Sequence, residues 1–98
     1  MTVYVDDMRA RLGRMIMCHM VADTTDELLV MADQIGVARK WIQHAGKHTE
    51  HFDISLGARA KAVRAGAVEV TRRQLAHMTI HRRTHGKLGE PTDYDQAL

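Results

Sequence analysis

The chain has 98 residues, with 14 Lys and Arg against 12 Asp and Glu, 7 His, one Cys, one Pro and 45% hydrophobic residues. That length predicts one domain with its own core, since domains of about 55–65 residues already fold unaided. A lone Cys18 excludes an internal disulfide or a multi-cysteine zinc module, and no stretch approaches the ~18 apolar residues of a membrane span. A soluble protein of a reducing cytoplasm, with no secretory segment and no membrane partner, is therefore expected.

Residues 2–5 alternate in a β-prone manner and predict a short strand closed by Asp6 and Asp7, then a loop through Gly13. Residues 15–22 (MIMCHMVA) form an apolar run of strand length, interrupted by His19 and ended by Asp23. Thr24 with Glu27 reads as a capping box. Leu28, Met31, Ala32 and Ile35 make one stripe at helical spacing, and Gly36 supplies a left-handed stop, which predicts a helix over 25–35. Residues 37–43 predict a third strand anchored by Trp41.

HAGKHTEH (44–51) is a polar loop with little structural signal. In HFDIS (51–55), His51, Asp53 and Ser55 share one side of an extended segment, and Phe52 and Ile54 share the other. Ser55 caps a second helix whose buried stripe is expected to be Leu56, Ala60, Val63 and Ala67, with Gly66 ending it. Residues 67–70 predict a fourth strand, and Thr71 caps a last helix to about His85. The order β-β-α-β-α-β-α is an α/β fold: a single domain over residues 1–88, with about four strands packed by about three helices. Its βαβ unit over 15–43 should cross over right-handed if the strands are parallel. From residue 89 an acidic, frayed tail is expected.

The small net charge hides an asymmetry. Residues 1–38 hold 3 basic and 6 acidic residues, residues 39–89 hold 11 and 3, and residues 90–98 hold none and 3. Six of the seven His also lie between 44 and 85, so the middle block suits a phosphate-bearing partner. Arg72, Arg73, Arg82 and Arg83 are its candidate contacts to a nucleic acid or an acidic protein. Solvated helix faces are the bland alternative. The string HRRTHGKLGEP (81–91) resembles the end of a zinc finger, but the two cysteines such a site needs upstream are missing. His77, His81 and His85 share a helical row without a visible acidic ligand. They are read as a solvated face.

The more informative set is Asp6 at the end of the first strand, His19 inside the second, Asp23 at its end, and His51 and Asp53 on one side of HFDIS. Carboxylates and imidazoles together bind a divalent metal or share acid–base work. Asp6 and Asp23 would share the ligand-binding rim of an open sheet if the first two strands run parallel. Ser55, Arg59 and the free N–H groups of the helix they begin form a candidate phosphate grip. Each residue also has a structural alternative: a helix-dipole charge for Asp23, a satisfied core histidine for His19, and a cap for Asp53.

At VYVDD (3–7), CHMVADT (18–24), IGVARKW (35–41), HFDIS (51–55) and RAGAVEV (64–70), the chain resembles a small bacterial and phage family, the domain of unknown function 4031, over about residues 2–71. Asp6, His19, Asp23, Trp41, His51, Asp53 and Arg59 match its polar and aromatic positions, while Gly57 and Ala58 stand where relatives often carry a Ser-Lys-like pair. The resemblance transfers no activity. It implies a small phage or bacterial auxiliary protein.

Two functions are thus expected. One is the binding or hydrolysis of a phosphate-containing ligand, a nucleotide or nucleic acid, at the Asp/His site, with a divalent metal as its cofactor option. The other is a non-enzymatic auxiliary or counter-defence protein whose basic surface contacts nucleic acid or a host protein. A sheet this small can also hide an edge strand by pairing with a second copy, so a homo-oligomer is an option.

Overall fold

The structure, a computed structural model, describes residues 2–94. Its elements run β1 (Val3–Val5), β2 (Ala10–Leu12), β3 (Met15–Ala22), α1 (Thr25–Ile35), β4 (Phe52–Ser55), α2 (Leu56–Arg64), β5 (Val68–Glu69) and α3 (Arg72–His85), with single tight helical turns at Arg39–Trp41 and Pro91–Tyr94. This is the expected α/β class, with three α-helices on a mixed sheet of five strands, one more strand than the sequence predicted.

The eight-residue β3 is the spine. β1 and β2 both pair antiparallel with one of its edges, and β4 pairs antiparallel with the other. β5 lies parallel to β1 at the far side. Val5 pairs with Met20 but Ala10 pairs with Met17, so five steps along one strand match three along the other. The extra residues form a bulge beside His19, and Arg9 absorbs the bend at φ 54°.

Alternation along these strands sends their side chains to two layers. Val3, Val5, Cys18, Met20, Phe52 and Ile54 bury against Leu28, Met31, Ala32 and Ile35 of α1 and Ala62 of α2. Tyr4 and Val21 face the other way and are covered by Val70, Leu75, Met78 and Leu88. Asp6, His19 and Asp53 belong by the same alternation to this second face.

The expected stripe of α1 is the buried one, with Thr24 accepting from the Glu27 N–H and Gly36 in the left-handed region at φ 79°. Thr71 and Gln74 make a reciprocal capping box for α3, which ends at Gly86. Four expectations need correction. The loop before Gly13 contains β2, which closes a hairpin on β3 with Leu12 opposite Met15. Residues 37–43 form no extended strand: Arg39–Trp41 makes a tight turn, and Gln43 pairs antiparallel with His51 in a single bridge. Instead Arg39 pairs with Asp33, and Trp41 is 63% exposed under Lys40 rather than a core anchor.

The buried stripe of α2 is also displaced. Ala62 is enclosed, with Ala58 and Val63 against the core, while Leu56 and Ala60 are exposed. The helix starts directly after β4, so the Ser55 cap sets its rotation. Finally, the expected tail folds back as far as Tyr94: Leu88 is buried, Gly89 N–H donates to Met78 O, and the Gln74 amide donates to Pro91 O. The rest of that tail, residues 95–98, lies outside the described residues.

Candidate functional site

The antiparallel register puts Asp53 directly opposite His19, and His51 lies two residues before Asp53 on the same side of its strand. The three side chains converge. Asp53 Oδ1 is 3.4 Å from His51 Nε2 and 3.8 Å from His19 Nε2, and the imidazole rings meet edge to face with centroids 5.2 Å apart.

Each imidazole is oriented by its other nitrogen. His19 Nδ1 bonds Asp6 Oδ2 at 2.8 Å, and His51 Nδ1 donates to Thr49 O at 2.6 Å. A carbonyl oxygen only accepts, so His51 Nδ1 carries a proton, and the ring is held with its Nε2 toward Asp53. The second oxygen of Asp53 accepts from the Gln43 amide at 2.6 Å, which leaves Oδ1 toward the histidines.

Asp6 is fully buried. Its carboxylate replaces a broken stretch of ladder: Oδ1 accepts from His19 N–H and Met8 N–H while Oδ2 holds the His19 ring. The bulge thus creates the pocket in which the carboxylate sits. Burial pushes the Asp6 carboxyl upward, but the bonds from the His19 ring and from the two backbone N–H groups together hold it below its ordinary value. The same pairing raises His19, against the opposing effect of burial.

These directions set a pH dependence. A raised histidine stabilises fully below its unfolded value of 6.5 and loses that contribution as pH rises through the folded value. A lowered carboxylate stabilises above 3.8 and loses its contribution as pH falls through the folded value. Melting temperature should therefore fall above about pH 6.5 more steeply in the native protein than in His19→Gln. Parallel pH-resolved melts that superimpose would remove the pair's role.

A cleft of about 270 Å³ opens beside the two imidazoles. Val21, Leu75 and Ala76 form its apolar wall, with His44 and Arg72 also lining it. His44 is set by a 2.8 Å contact between its Nδ1 and Thr49 Oγ1. The segment 44–51 is not the loose loop its composition suggests. Glu50 is buried, and its carboxylate accepts from Thr25 Oγ1 and Gly46 N–H, so it ties the segment to α1.

Four of the five residues read as one polar site are brought together: Asp6, His19, His51 and Asp53. Asp23 is not. Because β1 and β3 are antiparallel, Asp23 lies beside Thr2 at the opposite strand end, where its carboxylate accepts from Thr2 N–H.

The proposed phosphate grip is likewise engaged elsewhere. Ser55 Oγ accepts from Ala58 N–H, and the Arg59 guanidinium donates to Asp6 O at 2.7 Å and to Glu69 at 2.9 Å. Arg59 thereby braces the Asp6 backbone. Arg82 is half-buried and donates to Ala22 O, and burial depresses its guanidinium, so it leaves the expected basic surface. Arg72, Arg73 and Arg83 remain exposed.

His19, His51 and Asp53 are the group of three metal-capable side chains found among the described residues, with ligand atoms within 4.8 Å of one another. The row His77, His81 and His85 forms no such group there; His81 Nδ1 bonds Lys87 O. Sequence reasoning missed Gln43, Thr49 and Glu50. Only the cluster of polar residues in 43–50 signalled them, and composition does not separate a tethered loop from a mobile one.

No helix among the described residues is long and apolar enough to cross a membrane. Neither a curated protein nor a solved structure matches the chain. A family model does match, and it runs from residue 3 to residue 82, past the point near 71 where the short motifs stop and well into α3. The match therefore takes in both walls of the cleft, and the chain belongs to the family described as Protein of unknown function (DUF4031).

Proposed function

We propose that this protein binds and hydrolyses a phosphate-containing ligand, a nucleotide or a nucleic-acid end, in the cleft beside His19 and His51. One observation carries the reading. Both imidazole Nε2 atoms converge with Asp53 Oδ1, and the two histidines line a cleft that has an apolar wall and an arginine. Ligand sites pair apolar walls with a few converging polar groups in this way.

Each component has a use. The wall of Val21, Leu75 and Ala76 suits a base or another flat apolar group. Arg72 supplies a charge-assisted donor to phosphate oxygens. The water that attacks phosphorus would sit on the cleft side of His19, His51 and Asp53, beside groups whose orientation Asp6, Thr49 O and Gln43 maintain. A single Cys18, with no second cysteine to pair with, is in keeping with a cytoplasmic setting.

The test is a melting scan with a panel of nucleotides and short oligonucleotides, followed by phosphate-release assays on whatever binds. A ligand at 100 times its Kd should stabilise the protein by about 2.7 kcal/mol. Arg72→Ala should weaken that binding, and His19→Ala should remove hydrolysis. A panel without any shift, or shifts indifferent to Arg72→Ala and His51→Ala, would overturn the reading. Salt-sensitive binding lost only on neutralising Arg73 and Arg83 would favour a contact protein instead.

A further inference from the structure

We infer that His19 Nε2, His51 Nε2 and Asp53 Oδ1 form a three-ligand site for a divalent transition ion of the zinc type, the cofactor of the proposed hydrolysis. The inference rests on that functional reading for its role but on separate geometry for its existence. The oxygen of Asp53 already lies 3.4 and 3.8 Å from the two nitrogens. Ligands about 2.1 Å from a common ion stand roughly 3.0–3.4 Å apart, so a small closure of the His19 side completes the site.

The surroundings are those a metal ligand needs. A histidine that binds metal through one nitrogen normally donates from the other to a carboxylate or carbonyl, which fixes its tautomer and aim. His19 has Asp6 in that position and His51 has Thr49 O. Asp53 is steadied by Gln43 at its non-ligating oxygen. Two imidazoles with one carboxylate favour zinc, iron or manganese over magnesium, which prefers an all-oxygen octahedron.

Three protein ligands leave at least one position open, and His19 and His51 line the cleft. An ion there lowers the pKa of its bound water to about 7. The proton passes to solvent and the resulting hydroxide oxygen bonds to phosphorus. The bond from phosphorus to the leaving oxygen then breaks, and that oxygen departs with the electron pair and takes a proton from water. One carboxylate leaves a divalent site with net positive charge, which suits a phosphate also held by Arg72.

Calorimetric titration of chelator-treated protein with Zn²⁺, Mn²⁺ and Mg²⁺ tests this, with Co²⁺ absorption as a report on nitrogen ligation. One Zn²⁺ per chain is expected, with Mg²⁺ much weaker. Affinity should fall roughly 100-fold or more in His51→Gln and Asp53→Asn, and about 10–100-fold in Asp6→Asn. His77→Ala with His81→Ala should change neither stoichiometry nor affinity.

The inference is overturned by an absence of Zn²⁺ binding to the native protein, or by binding that survives His51→Gln and Asp53→Asn. It is also overturned if binding disappears with His77 and His81. Nucleotide binding measured in chelator separates the two proposals. Nucleotide without metal sinks this site and spares the proposed function, whereas metal without any phosphate ligand does the reverse.

Discussion

Asp6→Ala should lower the unfolding free energy by about 3–5 kcal/mol, the range for removing one member of a buried charge pair. The carboxylate is fully buried, and three groups lose their acceptor at once: the His19 ring, His19 N–H and Met8 N–H. For a domain of this size each kcal/mol is worth about 4–8 °C in Tm, so a loss well above 10 °C is expected. Asp6→Asn keeps an oxygen for the backbone N–H groups and should lose less. A calorimetric scan in which Asp6→Ala melts within 3 °C (about 0.5 kcal/mol) of the native protein would show that the bulge stands without its carboxylate.

Phe52→Ala should cost a similar amount, about 3–5 kcal/mol, by leaving a cavity between the sheet and α1. Its consequence for the site should be the opposite. Phe52 is fully buried on the sheet face that packs with α1 and α2, while its neighbours His51 and Asp53 point to the other face. Denaturant titration should therefore give a lower midpoint at unchanged slope. Metal or phosphate affinity of the folded fraction, measured in the cold, should match that of the native protein. An affinity that falls together with stability would mean that the two faces are not separable.

What could be read from the sequence depended on the kind of signal each element carries. The stripe of α1 and the alternation in HFDIS are local, so they gave the helix bounds and put His51 and Asp53 on the side away from Phe52 and Ile54. The apolar run of β3 was long enough to mark both its ends. Pairing direction is not local. Asp23 was grouped with Asp6 on the supposition of parallel strands, and the antiparallel register of β1 and β3 sends it to the far end.

β2 escaped notice because its three exposed residues, Ala-Arg-Leu, carry no apolar alternation. Trp41 is a related case: a large aromatic residue usually marks a core, but here it sits in a tight turn with Lys40 over its ring. Arg59 reads as part of a phosphate grip and Arg82 as a contact to a partner, since charge alone does not reveal a carbonyl partner. Both turned out to brace backbone oxygens at strand ends.

The bulge after β1 also has a bearing on the order of assembly. Its two aspartates are met by partners 13, 53 and 65 positions further along the chain: His19 N–H on Asp6, the Arg59 guanidinium on the Asp6 carbonyl, and Arg72 N–H on the Asp7 carboxylate. Contacts so distant in sequence are the slow ones to close, since the loop entropy is lost before they form. A chain still emerging from the ribosome can complete the hairpin around His19, but its first aspartates gain their last partner only when α3 docks. Closure of the bulge and completion of the cleft thus coincide, so that truncated chains ending before residue 72 would carry the imidazoles and the carboxylate without Arg72, Leu75 and Ala76 of the cleft lining.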